Sequence, residues 1–209
     1  GPEHITTDNA GNVFVVGYYS GSQYTFPLFD PGGGAYYQGT FAGSAFIPEV
    51  IIVKFNSAGV RTWATYYGGS DFDIAYGVCT DATGNVYVTG FTSSINFPVQ
   101  SLSGAYNQPN NAGGVGTKDV FILKFNNNGI RDWATYYGGS DEDIGYAITA
   151  SGANVYVTGT AVSTNFPLTN LAGAYNQNAP VAGHEAFILQ LDNASACKWA
   201  TYYVHAGED

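Results

Sequence analysis

Short runs of β-branched and aromatic residues, broken at close intervals by Gly, Asn, Asp and Pro, set the rhythm of this 209-residue sequence. In VYVTG, Val86 and Val88 fall on one side of a strand while Tyr87 and Thr89 fall on the other, the period-two alternation of a pleated surface. VFILKF (Val120 to Phe125) is apolar on both sides except near Lys124, which predicts a strand covered on both faces. No stretch returns apolar residues at helical spacing, and the density of glycine opposes helix. The prediction is all-β.

These runs recur with a long period. Arg61 to Tyr76 reads RTWATYYGGSDFDIAY and Arg131 to Tyr146 reads RDWATYYGGSDEDIGY, and a shorter copy, KWATYY, spans Lys198 to Tyr203. In step with them come GNVFVVG, GNVYVTG and ANVYVTG (from Gly11, Gly84 and Ala153) and Phe-Pro pairs at Phe26, Phe97 and Phe166. Gly-Ala-Tyr elements follow at Gly34, Gly104 and Gly173, then the runs VIIVKF, VFILKF and AFILQL. The period is about 70 residues, so 209 residues hold three units.

Each unit reads as four strands: the stretch after an acidic loop (Ile74 to Thr80, Ile144 to Ala150), then the VYVTG, VFILKF and WATYYGG types. DNAGN, DATGN, NSAG and NNNG supply turns, where Gly and Asn tolerate the positive φ that hairpins require. Repetition at this length marks a supersecondary unit that buries its apolar face on its neighbour. Four antiparallel strands per unit point to a propeller with one blade per unit. A trefoil also has three units of four strands, but its units are much shorter. The expected architecture is a single all-β repeat domain over 1–209, a β-propeller-like array of three four-stranded antiparallel blades near 1–69, 70–139 and 140–209.

GNVYVTGFTSSINFP (Gly84 to Pro98), GAYNQ (Gly104 to Gln108), DVFILKFNNNG (Asp119 to Gly129) and WATYYGGSDEDIGYAI (Trp133 to Ile148) together resemble the bacterial SBBP β-propeller repeat family. The likeness runs over essentially the whole chain. It implies a secreted or cell-surface bacterial protein, with propeller repeats beside adhesion or sorting modules, and no shared catalytic residue. The chain departs from that pattern in its long loops between second and third strands, such as Thr92 to Lys118. It also departs in blade number, since closed propellers have about four to eight blades. Two expectations follow. The chain is an arc of a larger propeller, its Gly1-Pro2 start resembling the remnant of a cleaved tag, or copies associate head to tail and two arcs complete a six-bladed ring. An unpartnered arc exposes one apolar blade face at each end.

Charge narrows the partners. The formal net charge is −10, and six Lys and Arg residues that do not cluster argue against nucleic acid. No apolar run is long enough for a membrane span. Cys79 and Cys197 occupy unrelated repeat positions, so two free thiols are expected rather than a disulfide, which needs Cα atoms within about 7 Å.

Three constellations carry chemistry. Acidic loops hold Asp71 and Asp73, then Asp141, Glu142 and Asp143, then Glu208 and Asp209. Alternate carboxylates in a Gly-rich loop can hold calcium, although the full twelve-residue calcium loop is missing; otherwise an Asp caps backbone N–H groups at the blade junction. Tyr36-Tyr37-Gln38, Tyr106-Asn107-Gln108 and Tyr175-Asn176-Gln177 combine aromatic faces with amides, the chemistry of sugar recognition. Their presence in every unit argues instead that they close the long loop onto its blade. The loops Phe29 to Phe46, Asn107 to Thr117 and Asn176 to Gly183 vary most and are where binding is expected.

Trp63, Trp133 and Trp199 read as packing residues. His4, His184 and His205 are scattered, without metal spacing or a nucleophile motif. The expected function is therefore a non-catalytic surface module, a scaffold or adhesion element binding protein. A lectin-like glycan binder and a calcium-assisted assembly module are the alternatives.

Overall fold

The computed structural model describes residues 1–21, 26–44, 46–180 and 183–203; His205, Glu208 and Asp209 lie outside the described residues. The chain is all-β, with three four-stranded antiparallel sheets and no helix among the described residues. The first sheet comprises β1 (Pro2–Thr7), β2 (Val13–Tyr19), β3 (Glu49–Phe55) and β4 (Arg61–Tyr67). The second comprises β5 (Asp73–Thr80), β6 (Val86–Thr92), β7 (Asp119–Phe125) and β8 (Arg131–Tyr137). The third comprises β9 (Asp143–Ser151), β10 (Asn154–Ala161), β11 (Glu185–Asp192) and β12 (Cys197–Tyr203). In each sheet the strands lie in chain order. Among the described residues no helix is long and apolar enough to cross a membrane.

The turns follow from their residues. Asp81 Oδ1 accepts from the backbone N–H groups of Thr83 and Asn85, and Gly84 takes φ +83° to close the hairpin. Asp8 does the same for Ala10 and Asn12 in the first sheet.

Between sheets, the alternation seen in VYVTG sorts the side chains. Val86 and Val88 join one apolar cluster with Phe14, Ile52, Trp63 and Tyr67 of the first sheet, while Tyr87 joins another with Phe187 and Leu189 of the third. Every residue of β7 is buried, since both its faces meet a neighbouring sheet. β11 alternates between buried and more exposed positions, because one of its faces meets no further sheet. β5 packs against β1 on one side and β9 on the other, so the first strands adjoin while β4, β8 and β12 are outermost. The array is propeller-like, with WATYY on the outer strands.

The long segment after each second strand returns along that outer edge. Phe29 bridges Ala64, Gln38 bridges Tyr66, Gln100 bridges Ala134 and Thr169 bridges Ala200, all antiparallel. These bridges cover backbone groups that an outer strand otherwise leaves open to pairing with another chain.

Candidate functional site

The residues singled out in the first two units gather at two blade junctions, one between the first and second sheets and one between the second and third, while Tyr175, Asn176, Gln177 and Trp199 lie on the open side of the third sheet. Each junction is built from an aromatic clasp, a loop clasp and a pair of acids.

The aromatic clasp starts on the outer strand. Trp63 Nε1 donates to the carbonyl of Tyr36 at 2.9 Å, and Trp133 and Trp199 make the same bond to Tyr106 and Tyr175, each at 2.8 Å. The Tyr36 ring packs on Tyr67 (centroids 4.7 Å apart) and the Tyr106 ring on Tyr137 (4.6 Å). The Tyr36 N–H reaches across to Gly129 O at 2.8 Å, and that of Tyr106 to Ser195 O at 2.9 Å, so each element grips a turn of the next sheet. The amides beside these tyrosines act within the loop. Asn107 Nδ2 donates to Leu102 O and Ala105 O, and Asn176 Nδ2 to Leu171 O and Ala174 O. Tyr37 stands in the place of these asparagines and is 40% exposed. The backbone N–H groups of Gln38, Gln108 and Gln177 donate to Thr65, Thr135 and Thr201 on the outer strands. The Tyr-amide elements thus fasten the long loop to its blade.

The acidic loops form the second clasp, and each splits its carboxylates. Asp73 and Asp143 are fully buried, whereas Asp71 is half-buried and Asp141 exposed. Asp73 Oδ2 accepts from Gly69 N at 2.7 Å and Ser94 Oγ at 3.0 Å; Asp143 Oδ2 accepts from Gly139 N at 2.7 Å and Ser163 Oγ at 2.8 Å. Asn96 Oδ1 takes the Ser70 N–H, and Asn165 Oδ1 takes that of Ser140. GGSD therefore pairs with the Ser-x-Asn that precedes Phe97-Pro98 and Phe166-Pro167. The Gly is required by close approach: a Cβ on Gly139 meets Asn165 Oδ1 at 2.4 Å and Ser163 Cβ at 2.6 Å. Among the described residues no group of three or more His, Cys, Asp or Glu is placed to hold a metal ion.

The chain is similar to a WD repeat-containing protein. Over 111 residues it is 28% identical to an uncharacterized protein of that description from Acanthamoeba polyphaga mimivirus, covering 53% of this chain and 8% of the relative. No family model matches the chain. The likeness agrees with a repeated, propeller-like fold.

Two sets of residues at these junctions were missed by sequence reasoning. Glu49, Asp119 and Glu185 open the third strand of each sheet, and all are buried. Gln38 donates to Glu49, and Gln108 Nε2 donates to Asp119 Oδ2 at 2.9 Å, so in the first two sheets the third residue of the Tyr-amide element reaches the buried acid. Glu49 and Asp119 face the capping Asp of the next sheet: a Cβ on Gly138 meets Asp119 Oδ1 and Asp143 Oδ2, each at 2.9 Å. Asp119 Oδ1 is buried with no hydrogen-bond partner. Glu49, Asp73 and Asp119 are raised to about 7, by burial first and, for Asp73 and Asp119, by the facing carboxylate as well. The legible signal was an acid at one repeat position in all three units.

Arg131 is the other omission. It lies 4.8 Å over the Tyr36 ring, donates to Tyr67 Oη at 3.0 Å, and is replaced by Cys197 at the second junction. Cys197 Sγ is 3.7 Å from Tyr137 Oη, and Cys79 packs in the same apolar cluster, yet both thiols are free. His4 Nδ1 accepts from Val78 N at 3.4 Å, and His184 is exposed on a loop of the third sheet; the two do not converge.

Proposed function

We propose that the chain is a non-catalytic scaffold for protein interaction, with the Gly- and Asn-rich loops along the outer edge as its contact surface. One observation carries this reading: the indole, loop-amide and capping groups that recur between units bond to the protein itself. Indole N–H, loop amides and capping carboxylates are occupied by Tyr carbonyls, turn backbone and Ser or Gly donors. A reaction centre needs convergent groups free to touch substrate. Similarity to a WD repeat-containing protein supports the same direction. The resemblance to SBBP repeats adds a bacterial cell surface as the setting.

Affinity purification from the native cell with the intact chain, and with Asn107 to Thr117 shortened, tests the proposal. A stoichiometric protein held by the first and lost by the second is the expected result. Enzyme-like turnover of a polysaccharide or ester by the purified chain would overturn it. Glycan-array binding lost on Tyr175→Ala would move the reading to carbohydrate, since the Tyr175 ring is 52% exposed.

A further inference from the structure

The two end faces of the array differ, and each matches one half of an internal junction. At the first junction Phe125 sits among Trp63, Tyr36 and Tyr67, with ring centroids 5.2, 6.3 and 6.0 Å away. Arg131, its cross-strand partner, covers Tyr36, donates to Tyr67 Oη and anchors on Pro98 O. A Trp-Tyr-Tyr face therefore takes a Phe-Arg face as its mate.

The first sheet carries the Phe-Arg half on its open side. Phe55 and Arg61 are cross-strand partners there, beside Val15, Ile51 and Val53, and Arg61 anchors on Pro27 O at 2.8 Å. Arg61 Nε is buried and has no hydrogen-bond partner. The third sheet carries the Trp-Tyr-Tyr half. Trp199 donates to Tyr175 O at 2.8 Å, and the Tyr175 and Tyr203 rings lie 5.8 Å apart. Tyr203 is 62% exposed, whereas Tyr67 and Tyr137, in the same repeat position, are fully buried.

We propose that the third sheet of one copy docks on the first sheet of a second copy, with Phe55 and Arg61 entering between Tyr175, Trp199 and Tyr203. The Tyr175 N–H then meets Gly59 O, as that of Tyr36 meets Gly129 O within the chain. The contact is head to tail, so the second copy presents the same pair of faces. This proposal is independent of the scaffold reading: a dimer without other partners, or a monomer that binds one, separates the two.

Light scattering and sedimentation of the chain at about 100 µM, above the micromolar dissociation constants of the weaker interfaces of standard size, test it. At least twice the chain mass of 22.1 kDa is expected. Arg61→Glu and Tyr203→Ala each raise the dissociation constant about thirtyfold or more, the scale of a buried hot-spot side chain. Tyr175→Ala serves as a second variant on the third sheet. Mixing Arg61→Glu with Tyr203→Ala restores a dimer, because the intact third sheet of one meets the intact first sheet of the other. A monomeric wild-type chain, a dimer indifferent to both substitutions, or a mixture that stays monomeric would each overturn the proposal.

Discussion

Asp119 enters the second junction with one oxygen held by Gln108 and Ala112 and the other without a donor. Its pKa rises to about 7, through burial first and the charge of Asp143 in addition, against the Ala112 N–H. Glu49 and Asp73 also rise to about 7, chiefly from burial. A carboxyl raised in the folded state binds protons there that the unfolded chain has released. These three groups therefore stabilise the fold most below the ordinary carboxylate range of about 4, and the contribution is lost as pH climbs to 7. Asp8 and Asp81 act the other way. Burial opposes their ionisation, but turn hydrogen bonds outweigh it and hold them below their usual value, so their contribution disappears as acid protonates them. The melting temperature is expected to peak at about pH 4, where those two windows meet, and to fall toward pH 8. Asp119→Asn places an amide donor beside Asp143 and should flatten that fall; equal pH slopes in both proteins would refute the assignment. Gly139→Ala forces a methyl against Asn165 and Ser163 and is expected to cost about 1–3 kcal/mol in urea unfolding.

A strand, a returning loop and a turn of the next sheet form one fastened unit, and the indole bond is its most repeated link. Trp133→Phe leaves the Tyr106 carbonyl without its donor in a site where Trp133 is fully buried. The expected loss is about 1–3 kcal/mol, the cost of an unpaired buried acceptor, read from the urea midpoint. Trp199→Phe should cost distinctly less, because Trp199 is only half-buried and water can reach the Tyr175 carbonyl. Equal losses would show that packing, not the hydrogen bond, dominates. The strand-level reading of the sequence was sound for a simple reason. Alternation in VYVTG reports which sheet each side chain meets, and the doubly apolar VFILKF reports burial on both faces. What the Tyr-amide elements do was only half legible. Their recurrence argued for packing, but nothing in GAYNQ shows that its Gln reaches an acid eleven residues further on.

Taken as an array, the molecule has two filled junctions and two open faces, and its formal net charge of −10 acts on any meeting of copies. Like charges oppose association, and salt screens them over a Debye length of about 10 Å at 0.1 M. Head-to-tail association through an aromatic contact is therefore expected to tighten between about 20 and 200 mM salt. Sedimentation across that series checks it, and weakening with salt would point to ion pairs instead of the Phe55 and Arg61 contact. The two junctions also differ, with Arg131 bonding Tyr67 in one and Cys197 beside Tyr137 in the other. By sequence position Cys79 and Cys197 are unrelated; in space they share an apolar cluster.

The amino-acid order alone determined the strands, their turns and the threefold unit, because these rest on local alternation, on Gly and Asn in turns, and on repetition. Only the tertiary structure decided which polar groups are occupied and which stay open. Ser70 meets Asn96, and Asp119 faces Asp143, across segments whose return path is set by the packing of whole sheets. A carboxylate reads the same in a sequence whether it faces water or another buried acid, and burial, which raises Asp119 and leaves Tyr203 exposed, belongs to the assembled array.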